Sequence, residues 1–214
     1  MTDIVLVGVG GCMKELLWQF KEYNEYKPTW NIKGYINPVE DFDVENLGNY
    51  PYLGTDEDLL KVTEPTNVVI CIAEPRTRKK LVELYRSNPN IQFPAVILSK
   101  DGIAPDAMFG EGCLISKDCI VSSNVILGNF VFMNMRSMVC HDGRVGEFTT
   151  LAPYAKIAGT VRIGSHCELG MGCSVIQGLN IGDSVKVGAG AVVVRDIPSC
   201  VTAVGVPAVV KKRI

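Results

Sequence analysis

From Ile103 to Val193 every sixth residue of the chain is apolar, through sixteen consecutive hexads without an insertion. The anchors are Ile103, Phe109, Ile115, Val121, Leu127, Met133, Val139, Val145, Leu151, Ile157, Ile163, Leu169, Val175, Ile181, Val187 and Val193. With about half of all residues apolar, such a run in any frame arises by chance on the order of once in ten thousand chains. The next position is restricted too. It is Gly, Ala, Ser or Cys in thirteen of the sixteen hexads, the exceptions being Asn134, Ile176 and Val194.

A period of six fits neither the 3.6 of an α-helix nor a simple alternating strand, so the unit is a short extended segment followed by a tight turn. One unit has almost no core, whereas a stack does. With three flat faces per coil, residues eighteen apart lie one above another at the strand spacing of about 4.8 Å, and the anchors fill the interior. The small residue after each anchor permits close backbone approach at a corner. Side chains four after the anchor, such as Ala107, Val125, Thr149, Ala155, Val185 and Ala191, fill the remaining space. Sixteen hexads make five coils and a spare face, a prism roughly 25 Å long. The pattern resembles the hexapeptide-repeat acyltransferases. That resemblance implies a left-handed parallel β-helix, a hand the spacing does not itself supply, since parallel crossovers are ordinarily right-handed.

The 214 residues can hold two modest domains, and 47% hydrophobic residues is ample for both. A net charge of −2 without a long charge run argues against nucleic acid as the main partner. No apolar stretch approaches the length of a membrane span and the start reads as a buried strand, so a cytoplasmic location is expected. The eight cysteines form no C-x-x-C pair. Cys113, Cys119, Cys167 and Cys173 all fall four after an anchor, which makes them interior fillers rather than metal ligands or disulfides.

Before Ile103 the period changes. A strand over residues 4–7, a helix over 13–23 and a strand over 32–36 are followed by a short helix at 56–62, a strand at 68–73, a helix at 76–86 and a strand at 93–98. Strand, helix, strand in succession predicts a small Rossmann-like parallel sheet, an α/β domain over residues 1–99. The β-helix then covers 100–198, and 199–214 form a C-terminal tail. Gly8, Gly10 and Gly11 close the first strand and open the first helix, where backbone N–H groups and a helix N-terminus can hold a phosphate. A dinucleotide fingerprint would need a third glycine where Met13 stands and an acid where Asn37-Pro38 stands, so no complete nicotinamide site is expected.

Only two histidines occur. His141 lies two after Val139 and Asp142 three after it, both at a corner facing out. An imidazole beside a carboxylate is the equipment of a general base, because the acid fixes the tautomer and favours the imidazolium. One coil on from His141 is Gly159, whose N–H could stabilise an oxyanion, or whose glycine could serve only the turn. His166 has no such neighbours and is expected to be a solvated corner. Two histidines are too few for the three-histidine zinc site of a γ-type carbonic anhydrase, and no metal is expected.

The glycine-rich first turn, Gly34-Tyr35-Ile36-Asn37, Gly54-Thr55-Asp56, Arg78-Lys79-Lys80, the hexads carrying His141-Asp142 and the closing Gly205-Val206-Pro207-Ala208 together resemble the NeuD/PglD family of bacterial sugar acetyltransferases. The resemblance implies a nucleotide-sugar-binding first domain, a β-helix that binds acetyl-CoA, a homotrimer with sites between subunits, and a place in glycan or lipopolysaccharide biosynthesis. By that resemblance His141 is the catalytic base with Asp142 beside it. Gly159 contacts the acetyl carbonyl, and Asn134 lies near the acceptor. Gly205, Pro207 and Ala208 are assigned to the coenzyme; Lys211, Lys212 and Arg213 carry the charge to meet its 3′-phosphate, or form a plain basic tail. Gly8, Gly10, Gly11, Cys12 and Asn37 are assigned to the sugar nucleotide. Four positions depart from the family pattern: Cys12 replaces a histidine, Asn37-Pro38 an acidic pair, Ala73-Glu74 a Gly-Asn, and Thr150, at a coenzyme-site position, a second β-helix histidine.

The expected reaction is direct transfer from acetyl-CoA to an amino group of a nucleotide-linked amino sugar. Cys140 occupies a small corner position, which disfavours an acyl-enzyme. O-acetylation of a sugar hydroxyl, or a non-catalytic binding protein of a sugar pathway, are the alternatives.

Overall fold

The computed structural model describes residues 1–37 and 50–213. Two compact units emerge from the contacts, one comprising Met1–Ala73 and Thr77–Pro94, the other Glu74–Arg76 and Ala95–Ile214. In the first, β1 (Thr2–Val7), α1 (Gly11–Tyr26), β2 (Trp30–Ile36), α2 (Asp56–Leu59), β3 (Thr66–Ile70), α3 (Pro75–Tyr85) and β4 (Ile91–Gln92) follow in order. The four strands form one parallel sheet in the order β2-β1-β3-β4. Ile4, Leu6, Met13, Leu16, Phe20 and Val82 are its buried apolar centre. The strand expected at 93–98 shortens to residues 96–97, and a separate strand precedes it at 91–92. Pro94 has no N–H to give a ladder, so β4 ends before it, and β5 (Val96–Ile97) joins a sheet of the second unit.

The second unit is a parallel β-solenoid. Fifteen two-residue strands, β6 (Met108–Phe109) to β20 (Val192–Val193), each consist of one anchor and the residue before it. Partners are eighteen residues apart throughout, as in Phe132↔Thr150, Met138↔Lys156 and Arg144↔Arg162. The three faces are three sheets. All fourteen anchors from Ile115 to Val193 are buried, and so are the four interior cysteines, none of which is in a disulfide. Burial pushes the Cys119 and Cys167 thiols up to about 11 and that of Cys173 to about 12. They pack as small apolar groups.

The third residue after the anchor makes the turn. From residue 112 to residue 190 all fourteen such positions have φ between 54° and 76°, and ten of them are not glycine. The small residue directly after the anchor has the role its size suggests: a Cβ on Gly146 would stand 2.5 Å from the backbone of Gly164 and Ser165 on the next coil. At one corner the turn residues stack as an aromatic column. Phe130 and Phe148 are parallel with centroids 5.0 Å apart, and His166 lies 5.4 Å above Phe148. His166 is therefore partly buried as the cap of this column, and not the freely solvated corner expected. The chain ends in an antiparallel hairpin of β21 (Val201–Val204) and β22 (Val209–Arg213), with β21 parallel to β19 (Lys186–Val187). No helix among the described residues is long and apolar enough to cross a membrane.

Because Phe130 is almost fully buried under Phe148, Phe130→Ala is expected to destabilise the solenoid by about 3–5 kcal/mol. A fall in the urea midpoint with an unchanged slope would register it.

Candidate active site

His141 and Asp142 follow β11 (Met138–Val139) at the corner between two solenoid faces. Asp142 takes the left-handed turn conformation, φ 61°, which aims its side chain back toward the preceding residue. His141 Nδ1 lies 2.8 Å from Asp142 Oδ2, and both side chains are exposed. A carboxylate only accepts, so Nδ1 carries the proton and the lone pair is on Nε2. The other carboxylate oxygen accepts from Asn124 Nδ2 at 2.7 Å, one coil away. Hydrogen bonds from His141 first and Asn124 second hold the Asp142 carboxyl below the usual carboxylate range.

Gly159 lies under the imidazole. A Cβ there would stand 2.5 Å from His141 Cε1 and closer still to Nε2. Its φ is ordinary, so the backbone conformation does not demand glycine; the ring does. Gly159 is buried, and among the described residues its N–H has no acceptor. The N–H groups of His141, Gln177 and Arg195, which share this column, have none either. Elsewhere side chains claim such groups: Asn129 Oδ1 accepts from Glu111, Asp183 Oδ1 from Ser165, and Asn134 Oδ1 from Met135. Unclaimed donors beside a histidine are what an acyl carbonyl or an amide-bearing ligand would use.

Beside this corner a cleft of about 260 Å³ runs over Met138, Cys140, Lys156, Ala158, Ile176 and Gln177. At the upper end of the same face, Val192 N–H donates to Gly205 O at 3.0 Å and Ala208 N–H to Val192 O at 2.7 Å. Gly205 and Ala208 thus bond to the end of the column that runs from Ile120 through Met138 to Val192, with Pro207 between them and Lys211 on the strand that follows. Asn134 and Thr150 do not join them. Asn134 follows β10 (Phe132–Met133) and Thr150 is in β13 (Thr150–Leu151), both on another face, where Thr150 is buried.

The first unit holds a separate cleft of about 280 Å³, lined by Gly8, Gly10, Asn37, Asp56, Ile72 and Thr77 among others. Gly8 has φ 102° and lets the chain turn at the end of β1. Gly10 caps α1 without a side-chain bond, and a Cβ on Gly10 or Gly11 would meet nothing. Cys12 is in the first turn of α1, its thiol pushed up to about 12 by burial. Asp56 accepts a 2.5 Å bond from Tyr85, whose phenol burial and that carboxylate push well up. The sequence marked Asp56 as a helix start and as part of the Gly54-Thr55-Asp56 motif, without a place at this cleft, and Thr77 was not singled out. Pro38 lies outside the described residues.

A scan of the chain against models of known families finds no match. GDP-perosamine N-acetyltransferase of Escherichia coli O157:H7 is 36% identical over 107 residues, half of this chain and 40% of that protein. The chain thus spans about two-fifths of that curated relative's length. Among solved structures, a histidine-to-alanine variant of GDP-perosamine N-acetyltransferase from Caulobacter crescentus, in complex with CoA and GDP-perosamine, has a TM-score of 0.86 at 27% identity. That likeness covers 99% of this chain and 98% of the other. WeeI from Acinetobacter baumannii AYE has a TM-score of 0.86 at 31% identity, over 98% of this chain and 100% of that one.

Gly159→Ala is expected to expel the imidazole from its seat while leaving the solenoid folded. A crystal structure or histidine NMR of the variant should show the 2.8 Å contact to Asp142 lost.

Proposed function

The chain belongs to the NeuD/PglD family of hexapeptide-repeat sugar acetyltransferases, and on that premise we propose that it transfers the acetyl group of acetyl-CoA directly to the amino group of a nucleotide-activated sugar. The observation that carries this reading is the His141-Asp142 pair seated over the unclaimed amide of Gly159. The acceptor nitrogen attacks the thioester carbonyl, and His141 Nε2 takes a proton from it. Asp142 stabilises the imidazolium, and the Gly159 N–H donates to the oxyanion. The C–S bond then breaks and the coenzyme leaves as its thiol, its sulfur taking the proton that His141 carried.

The column of free N–H groups from Gly159 through Gln177 to Arg195 suits a coenzyme arm bearing amide carbonyls. It runs along the 260 Å³ cleft toward Gly205, Pro207 and Ala208, with Lys211 near its phosphate end. Asn134 and Thr150, remote from His141 within one protomer, fit a homotrimer in which a left-handed prism lends them to its neighbour. In the first unit, which we take as Rossmann-like, the open α1 N-terminus receives a diphosphate at Gly8, Gly10 and Gly11. Asn37 and Asp56 face the rest of the nucleotide sugar. The GDP-perosamine bound by the Caulobacter crescentus enzyme makes GDP-linked amino sugars the first acceptors to try.

A coenzyme-release assay with acetyl-CoA and a panel of nucleotide-linked amino sugars is expected to show turnover. His141→Ala should lower kcat by about 10²–10⁴ while still binding acetyl-CoA. Transfer to hydroxyl acceptors alone, or a His141→Ala variant as fast as the parent, would overturn the assignment.

A further inference from the structure

Asn124 and Asp142 occupy the turn position of consecutive coils, with φ 56° and 61°. Asparagine is tolerated in that conformation, so the turn alone would account for its presence. The residue is nevertheless held through both its backbone and its side chain. The backbone N–H donates to Asp106 Oδ2 at 3.0 Å, and the backbone carbonyl accepts from Arg144 Nη1. The amide oxygen lies 3.5 Å from Arg144 Nη2, and Nδ2 donates to Asp142 Oδ1 at 2.7 Å. A guanidinium offers donors only and a carboxylate acceptors only. Flipping the amide would set donor against donor and acceptor against acceptor, so its orientation is dictated by its neighbours.

The consequence reaches the histidine. With Oδ1 committed to Asn124, the Asp142 carboxylate is left with Oδ2 aimed at His141 Nδ1. Free imidazole prefers its proton on Nε2, so the opposite tautomer, with Nε2 bare over Gly159, has to be selected by the corner. Resting on the reading of His141 as general base, we propose that Asn124 is a positioning residue of this site. It locks the Asp142 carboxylate so that His141 is held as the Nδ1–H tautomer, ready to take a proton from the acceptor. Arg144 and Asp106 in turn lock Asn124.

With only two histidines in the chain, ¹⁵N-histidine labelling reads the tautomer directly, and His141→Asn identifies the His141 resonances by their loss. Asn124→Gly keeps the turn without strain but removes the donor, and Asn124→Asp keeps both size and turn. At a pH where the imidazole is neutral, the parent is expected to show His141 mainly as Nδ1–H. Both variants should shift toward Nε2–H. In acetyl transfer, kcat should fall about tenfold or more, with KM for acetyl-CoA within about twofold of the parent. An unchanged tautomer in Asn124→Gly overturns the proposal, and so does a loss of kcat that only follows a collapse in Tm. Should one variant fail to fold, the other supplies the reading. The NMR arm needs no turnover. A parent protein inactive toward every acceptor would therefore sink the proposed function while the tautomer still decides the role of Asn124.

Discussion

From residue 104 to residue 176 the backbone N–H groups on either side of each anchor reach the carbonyl seventeen residues ahead, as Phe132 does to Thr149, Cys140 to Ile157 and Arg144 to Val161. From β6 to β20 the ladder keeps one coil length of eighteen residues, and the last coil is shorter, with Lys186 paired to Thr202. One residue added inside a strand would turn its anchor out of the interior. The constraint is strong enough to hold ten non-glycine residues in the left-handed region, among them Phe130, Phe148 and Thr160. That conformation costs an L-residue about 1–2 kcal/mol. Stacking offsets part of it, because the same turn brings Phe130 onto Phe148 and Arg136 to the hydroxyl of Tyr154.

Constant register also makes each corner a column in which chemistry accumulates in sequence steps of eighteen. At one corner, side chains of the next coil, such as Asn129 and Asp183, fold over and satisfy the outward N–H groups. The His141 corner presents its donors to whatever lies alongside. Its turn column supplies Asp106, Asn124 and Asp142 as a linked series of hydrogen bonds, while its neighbouring column supplies His141 over Gly159. Backbone hydrogen bonds such as Thr160 N–H to His141 O tie the two columns together, and the Asp142 carboxylate joins their side chains.

Eighteen-residue arithmetic made most of the second unit legible. It predicted the strand partners, the buried anchors, the filler cysteines and the placement of Gly159 next to His141. Counting down from Asp142 by the same step reaches Asn124, and counting up from Gly159 reaches Gln177, so both were readable had the step been taken. Clearance for the imidazole as the reason for glycine at 159 was not readable, since the sequence carries no ring orientation. In the first unit no fixed period exists. The order of elements followed from apolar runs, but the convergence of Asp56 and Thr77 on Gly8 and Asn37 depends on how three loops close over one sheet end. Pro94 was visible, yet its effect of dividing one apolar run between two sheets required knowing that a second sheet edge was available.

The three departures from the small-residue rule belong with these observations. Ile176 and Val194 are consecutive in the column that also holds Cys140 and Ala158, and they are 39% and 36% exposed. They contribute little to the interior. Large apolar groups left in solvent at a corner where small ones suffice are not explained by folding, and Ile176 lines the cleft beside His141. Asn134, the third departure, spends its side-chain oxygen on the N–H of Met135. A repeat this regular is most informative where it is broken, because every intact hexad is answered by the core. The broken ones answer to something outside it.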